Sequence, residues 1–369
     1  MDNCVIPHGY KATALGIIPQ EWEVMLLGNL SNSISSGRNK HRDAHGQYPV
    51  FGSTGIIGYS STYEYEGPVI LVARVGANAG TLNFASGQYD VSDNTLIITI
   101  KQNVYDYNFA YNQLTHYKLN KLVFGSGQPL ITSKQLKNIR IPVPPLAEQR
   151  KIAEVLGVWD KAIEKQARLI EKLALRKRAL MQRLLSAKLR LPGFSEPWKK
   201  VKLGDVAELY QPQTIQSEDL SQTGYPVYGA NGLIGYYNSY NHEYPQVVIT
   251  CRGSSCGTVN FTPGKCWITG NAMVLNVDNN RDVNKSFFYY LISNSSFVNL
   301  ISGSGQPQIV RQPLLKFELR IPPLKEQTAI AEVLTAADRE IDLAKEKLER
   351  LRRQKRGLMQ QLLTGKKRI

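Results

Sequence analysis

The chain has 369 residues, enough for two or three domains with proper cores, and a formal net charge of +15. Such a basic balance favours a polyanionic partner, most often nucleic acid, although many basic proteins bind none. No apolar run approaches the ~20 residues of a membrane span, and MDNCVIPHGYK has no signal-like apolar core, so a cytoplasmic location is expected. Four cysteines (Cys4, Cys251, Cys256, Cys266) form no CxxC pair and read as buried reduced thiols.

In chain order, residues 1–21 contain Pro7, Gly9, Gly16 and Pro19 and look like a strap. A globular segment follows from Trp22 to Pro145, so that strap and first domain together cover residues 1–145. Strands are expected at Tyr48–Phe51, Val69–Val75 and Thr95–Lys101, and a helical patch at Tyr107–Leu119. The segment 146–191 opens PPLAEQ and carries an apolar seam at Ile152, Leu156, Trp159, Ile163, Ile170, Leu173, Leu180 and Leu184. Steps alternating between four and three are the 3.5-residue period of a coiled coil. A second globular domain is expected over 192–323 and a second long helix over 324–369. That helix repeats the seam at Ile330, Leu334, Ile341, Leu348, Leu351, Leu358 and Leu362.

The second half of the chain repeats the first. VPPLAEQRKIAEVL returns as IPPLKEQTAIAEVL, LMQRLL as LMQQLL, YPVFGSTGIIGY as YPVYGANGLIGY and GTLNF as GTVNF. The fold class expected is α+β: two similar globular domains, each followed by a long helix. If the helices pair, the segment joining them must enter and leave at one end. That favours an antiparallel coiled coil and a pseudo-two-fold, circular organisation. Gln166, Lys177 and Lys355 interrupt the seam and would fix its register.

Between these anchors the copies diverge, as loops of different binding specificity would. GRNKHRDAHG (37–46) has no counterpart in 211–224, and Val75, Ala77 and Asn78 face Arg252, Ser254 and Ser255. Candidate DNA contacts follow from side-chain chemistry. Arg74 and Arg252 precede a strand-end Gly; each can grip guanine or phosphate, or be an ordinary surface arginine. Lys40 and Arg42 lie in the variable loop, where a solvated charge cluster is an equal reading. Gln128 and Gln306, in the repeated GSGQP, can pair with adenine or fix their own loop. Ser53, Thr54 and Asn231 are turn residues first, contact candidates second. Asn78, Ser254 and Ser255 complete the set.

Catalytic chemistry is missing from the sequence. It contains no GxxxxGK[ST] loop, no Asn/Asp-Pro-Pro-aromatic tetrad and no nucleophile elbow. His41 and His45 lack a third ligand, so no metal site is expected.

Two half-similar domains, each leading into a helix that opens PPLxEQ and closes LMQxLL, resemble the specificity subunit of type I restriction–modification systems, over nearly the whole chain. The resemblance implies two target recognition domains, each reading half of a split, asymmetric double-stranded DNA site. It implies helices that set the gap and dock two modification subunits, with restriction subunits joining them. S-adenosylmethionine, ATP and Mg would belong to those partners, and this chain would be non-catalytic. The competing class is a coiled-coil adaptor with two protein-binding modules.

Overall fold

The computed structural model describes residues 6–40, 42–124, 129–229, 232–303 and 305–369. It divides into two compact units, Met1–Ala167 with Glu346–Ile369, and Arg168–Lys345. Each unit therefore takes a part of both long helices.

In the first unit the central sheet has the order Ser31–Ser36, Thr95–Ile100, Val69–Ala73, Leu82–Ala85, all antiparallel. VILVA is apolar on both faces and TLIITI on one, with Ile97 between two threonines on the other, so both sides of this sheet must be covered. Alternation divides the work. Ile70, Val72, Leu96, Ile98 and Ile100 pack on Phe109, Leu114, Ile152, Leu156 and Leu362, while Val69, Leu71 and Ile97 pack on Tyr89 and Val91. The second layer is a smaller sheet, Gly55–Ser60, Tyr48–Gly52, Gln88–Val91 and Tyr65–Glu66. The expected helix is Tyr107–Tyr117, started by Asp106, whose carboxylate accepts the Phe109 N–H. The strand expected to reach Val75 stops at Ala73, because the Arg74 N–H turns to the Asn94 carbonyl.

The second unit repeats this plan. Its central sheet runs Glu208–Tyr210, Ala272–Asn276, Val247–Thr250, Val259–Phe261, and its smaller sheet Gly232–Tyr237, Tyr225–Gly229, Trp267–Ile268. Val247, Ile249, Met273 and Leu275 face the helical side; Val248, Ala272 and Val274 face Cys266 and Ile268.

The long helices are Leu146–Leu184 and Leu324–Leu362. The first ends at Leu184, short of the expected Leu191. There the chain reverses: Ala187 takes a left-handed φ of 58° and the Leu189 N–H reaches back to the Arg183 carbonyl. The second helix ends likewise, with Gly365 at φ 72° and the Lys367 N–H on the Gln361 carbonyl.

Within each unit the two helix segments run antiparallel. In the first, Lys355 binds Asp160 through both carboxylate oxygens (2.6 and 2.7 Å), and Arg368 binds Glu148. In the second, Lys177 binds Asp338, Arg176 binds Glu340, and Arg190 binds Glu326. Partner numbers fall on one helix as they rise on the other. The two seam lysines are thus cross-helix ties, as a register-setting polar group should be.

Of the seam residues in the first unit, Ile152, Leu156, Leu348 and Leu362 are buried, and Trp159, Ile163, Leu351 and Leu358 half-buried. In the second, Leu173, Leu184, Ile330, Leu334 and Ile341 are buried, and Ile170 and Leu180 half-buried. Leu185, Met359 and Leu363, outside the expected stripe, are buried as well, since the helix ends press against the globular cores.

The Glu-Gln of PPLxEQ ties each helix to its unit. Gln149 accepts the Asp106 N–H and donates to the Val104 and Pro144 carbonyls. Gln327 accepts the Asn284 N–H and donates to the Asp282 and Pro322 carbonyls. The glutamates receive the arginine that follows the other helix: Arg368 on Glu148, and Arg190 on Glu326 at 2.6 and 2.8 Å.

Candidate nucleic-acid interface

Four segments of the first unit meet at one edge of its two sheets. The centre is the tight turn after Ala73, closed by the Ala79 N–H on the Gly76 carbonyl and the Gly80 N–H on the Ala73 carbonyl. Gly76 needs its glycine, since φ is 78°. The stretch Ser92–Asn94 bridges this turn to the neighbouring hairpin: Asn94 accepts the Arg74 N–H, and the Ser92 N–H donates to the Phe51 carbonyl. Ser53 and Thr54 form the hairpin's two-residue tip, with Thr54 exposed. The variable loop lies over this frame. Its Arg38 and Asn39 N–H groups bond the Val91 carbonyl, and the Asp43 N–H bonds the Tyr59 carbonyl. Lys40 is exposed, and Arg42 is held by the Asn39 side chain at 2.8 Å.

The same main-chain frame recurs in the second unit. The Gly257 N–H donates to Thr250, the Cys256 N–H to Gly253, the Cys251 N–H to Asn271, and the Thr269 N–H to Tyr228. Each bond matches one in the first unit. The turn also rests on the stem of the GSGQP loop: Gly76 donates to Pro129, and Gly253 to Pro307. Gln306 is exposed beside that stem. Gln128 and Asn231 lie outside the described residues.

The hydrogen bonds set the same register as the sequence alignment of the two halves. Arg74 and Cys251 are the matched positions, since each donates its N–H to the bridging Asn and receives an isoleucine N–H, from Ile131 or Ile309. Arg252 matches Val75, as in the alignment. Cys251 is 1% exposed. Successive residues of extended backbone leave on opposite sides, so one position faces the core and the next faces out. Arg252 is exposed, as are Ser254 and Asn78, with Ser255 half-buried. Arg74 is half-buried, and its Nε is covered with no hydrogen-bond partner. An exposed Arg252 can reach a base edge or a phosphate; Arg74 presents its guanidinium from the rim of the core.

Two further features went unseen in the sequence. The bridges Ser92–Asn94 and Thr269–Asn271 work through main-chain atoms. In the second unit, His242 Nδ1 lies 2.6 Å from Asn241 Oδ1, and its Nε2 lies 2.9 Å from the Tyr210 hydroxyl. Asn241 Oδ1 also accepts the Ile268 N–H, which makes Nδ1 the protonated nitrogen. Burial holds this imidazole below the usual histidine range, against a smaller opposite pull from Asp278.

Among the described residues no group of three or more His, Cys, Asp or Glu could hold a metal ion, and no helix is long and apolar enough to cross a membrane. His45 is exposed; His41 lies outside the described residues.

The family profile described as "Type I restriction modification DNA specificity domain" matches twice, over residues 19–174 and 195–353. The type I restriction enzyme MjaVIII specificity subunit of Methanocaldococcus jannaschii is 24% identical, over 95% of this chain and 94% of its own length. A putative type I restriction enzyme specificity subunit of the same organism, MjaX, is 26% identical over 98% of this chain and 97% of its own. Among solved structures, the S subunit of a type I restriction–modification system from M. genitalium shares the fold, with a TM-score of 0.65 at 20% identity. It covers 93% of this chain and 96% of its own.

Proposed function

Because the chain belongs to the type I restriction–modification DNA specificity family, we propose that its two units read the two unlike halves of one bipartite DNA site. The carrying observation is a shared main-chain frame with different side chains mounted on it. Positions 74, 75, 77 and 78 hold Arg, Val, Ala and Asn; positions 251, 252, 254 and 255 hold Cys, Arg, Ser and Ser. A common frame approaches the groove in one way, and different donors and acceptors then select different bases. Arg252 is the base-edge candidate of the second unit. Arg74, Asn78, Lys40 and Arg42 serve the first, with Ser53 and Thr54 at the hairpin tip. Gln128, Gln306 and Asn231 complete the proposed contact set.

The chain itself performs no chemistry in this reading. It brings two modification subunits, which methylate adenine with S-adenosylmethionine, to the site, and restriction subunits supply ATP- and Mg-dependent cleavage. The long helices, basic on their exposed faces, are the docking surface for the modification subunits. The sequence supports this by lacking a GxxxxGK[ST] loop and an Asn/Asp-Pro-Pro-aromatic tetrad.

The test is an exchange of Trp22–Pro145 for the first domain of another family member, followed by sequencing of methylated sites in cells. One half of the recognised site should change and the other persist. Both halves changing together would defeat the modular reading.

A further inference from the structure

The hairpins are closely similar in the two readers, YPVFGSTGIIGY against YPVYGANGLIGY, yet they stand beside the most divergent loops. Val50 and Val227 of the first strands are buried, but the aliphatic side chains of the second strands are not. Ile56 is 54% and Ile57 38% exposed, and Leu233 and Ile234 are 52% and 50% exposed. Adjacent strand residues leave on opposite faces, so each hairpin is aliphatic on both sides. It is also thin. A Cβ at Gly52 would fall 2.6 Å from Ile57 Cδ1, and one at Gly229 would fall 3.0 Å from Ile234 Cγ2. The second aliphatic side chain therefore lies flat across a strand that has no side chain there. In both units the blade is tied beside the turn bearing the candidate contacts, through Ser92–Asn94 or Thr269–Asn271.

Aliphatic side chains carry no donors or acceptors and cannot read the hydrogen-bond code of bases. What both hairpins meet must be apolar and the same at two half-sites of different sequence. In a duplex that description fits the faces of stacked bases, where Ile and Leu act as wedges that part a base step. The flanking charge agrees with a nucleic-acid partner: Arg42 packs over Gly58 of the first blade, with exposed Lys40 close to it in the chain. We propose that Ile56–Ile57 and Leu233–Ile234 are sequence-independent wedges that unstack one base step at each half-site. The proposal rests on the reading that the units bind DNA.

The experiment uses the full chain assembled with its modification subunits, on a duplex carrying the mapped site. 2-Aminopurine is placed at successive steps through both half-sites, and its fluorescence reports unstacking. One step in each half should brighten on binding. Ile56→Ser with Ile57→Ser should abolish the signal in the first half only, and Leu233→Ser with Ile234→Ser in the second only. Each double variant should weaken binding about tenfold on every sequence, with base preference unchanged. Ile56→Leu should behave as the unaltered protein. Specific binding by the unaltered assembly with no brightened step would overturn the wedge and leave DNA reading intact. Serine variants that bind and unstack normally but lose a modification subunit would overturn it too, making the hairpin a protein-docking surface. No specific binding by the unaltered assembly would remove the wedge together with the DNA reading beneath it.

Discussion

The two units solve the same problems with different side chains. In the first, Glu148 collects Arg368 and the Trp22 indole N–H; in the second, Glu326 holds Arg190, while the Trp198 indole N–H is buried without a partner. Beneath the first reader the small sheet packs aromatic on aromatic, Tyr65 and Phe51 against Tyr89. Beneath the second, His242 and Cys266 stand in the places of Tyr65 and Tyr89, and Tyr210 stacks on the imidazole. What does not change is the main chain: the same turn, bridge and hairpin bonds occur in both. A frame held by backbone hydrogen bonds leaves its side chains free to diverge, and a reader of DNA sequence needs that freedom.

The sharpest test of this equivalence lies in the helix seam. Leu156 and Leu334 occupy matched positions, and each is 0% exposed. Truncating either to Ala should cost about 3 kcal/mol. Native-state hydrogen exchange should show Leu156→Ala deprotecting Thr95–Ile100, and Leu334→Ala deprotecting Ala272–Asn276. Markedly unequal costs would mean that the repeat is one of sequence and not of packing.

The readers should differ where the seam does not. Arg252→Ala should relax base preference in the second half-site alone, by ~1–3 kcal/mol of discrimination. Arg74→Ala should act on the first alone. Binding titrations against single-base variants of each half-site decide this; uniform weakening on all sequences would assign the arginine to a phosphate.

The smallest expected effect is in pH. Burial lowers the His242 pKa in the folded chain, so the unfolded chain takes up the proton first. Stability from the neutral imidazole is present above the unfolded value of about 6.5 and is lost as pH falls below it. His242→Phe should flatten the pH dependence of the second unit between pH 7.5 and 5.5. His116 titrates in the same direction in the first unit, lowered by burial and by Lys121 and Lys118, and is untouched by this change. An unaltered slope in the variant would show that His242 is not the group responsible.

How much of this was legible beforehand follows from what each feature is made of. The helices, the seam and the duplication are written in side-chain periodicity, and a period survives in sequence. The central strands showed themselves because VILVA and TLIITI are short, mostly apolar runs rich in Val, Ile and Thr. Both helix ends were placed too late by sequence: the first stops at Leu184 before a left-handed Ala187, the second at Leu362 before a left-handed Gly365. Nothing in the sequence marks an alanine for that role. Arg74 and Arg252 share only their nearness to a glycine; the alignment already set Arg252 against Val75, and the hydrogen-bond register agrees. Main-chain bridges such as Ser92–Asn94 leave almost no compositional trace.

The first unit is discontinuous, and this has a consequence for how the protein is made. Residues 168–345 emerge from the ribosome as one stretch and can close on themselves at once. Residues 1–167 cannot, because Met359, Leu362 and Leu363 belong to their core. For the time needed to translate some 200 further residues, the apolar stripe from Ile152 to Ile163 has no mate from its own unit. The half of the protein synthesised first is the half completed last, and any interruption of translation after Lys345 leaves a finished second reader beside an unfinished first one.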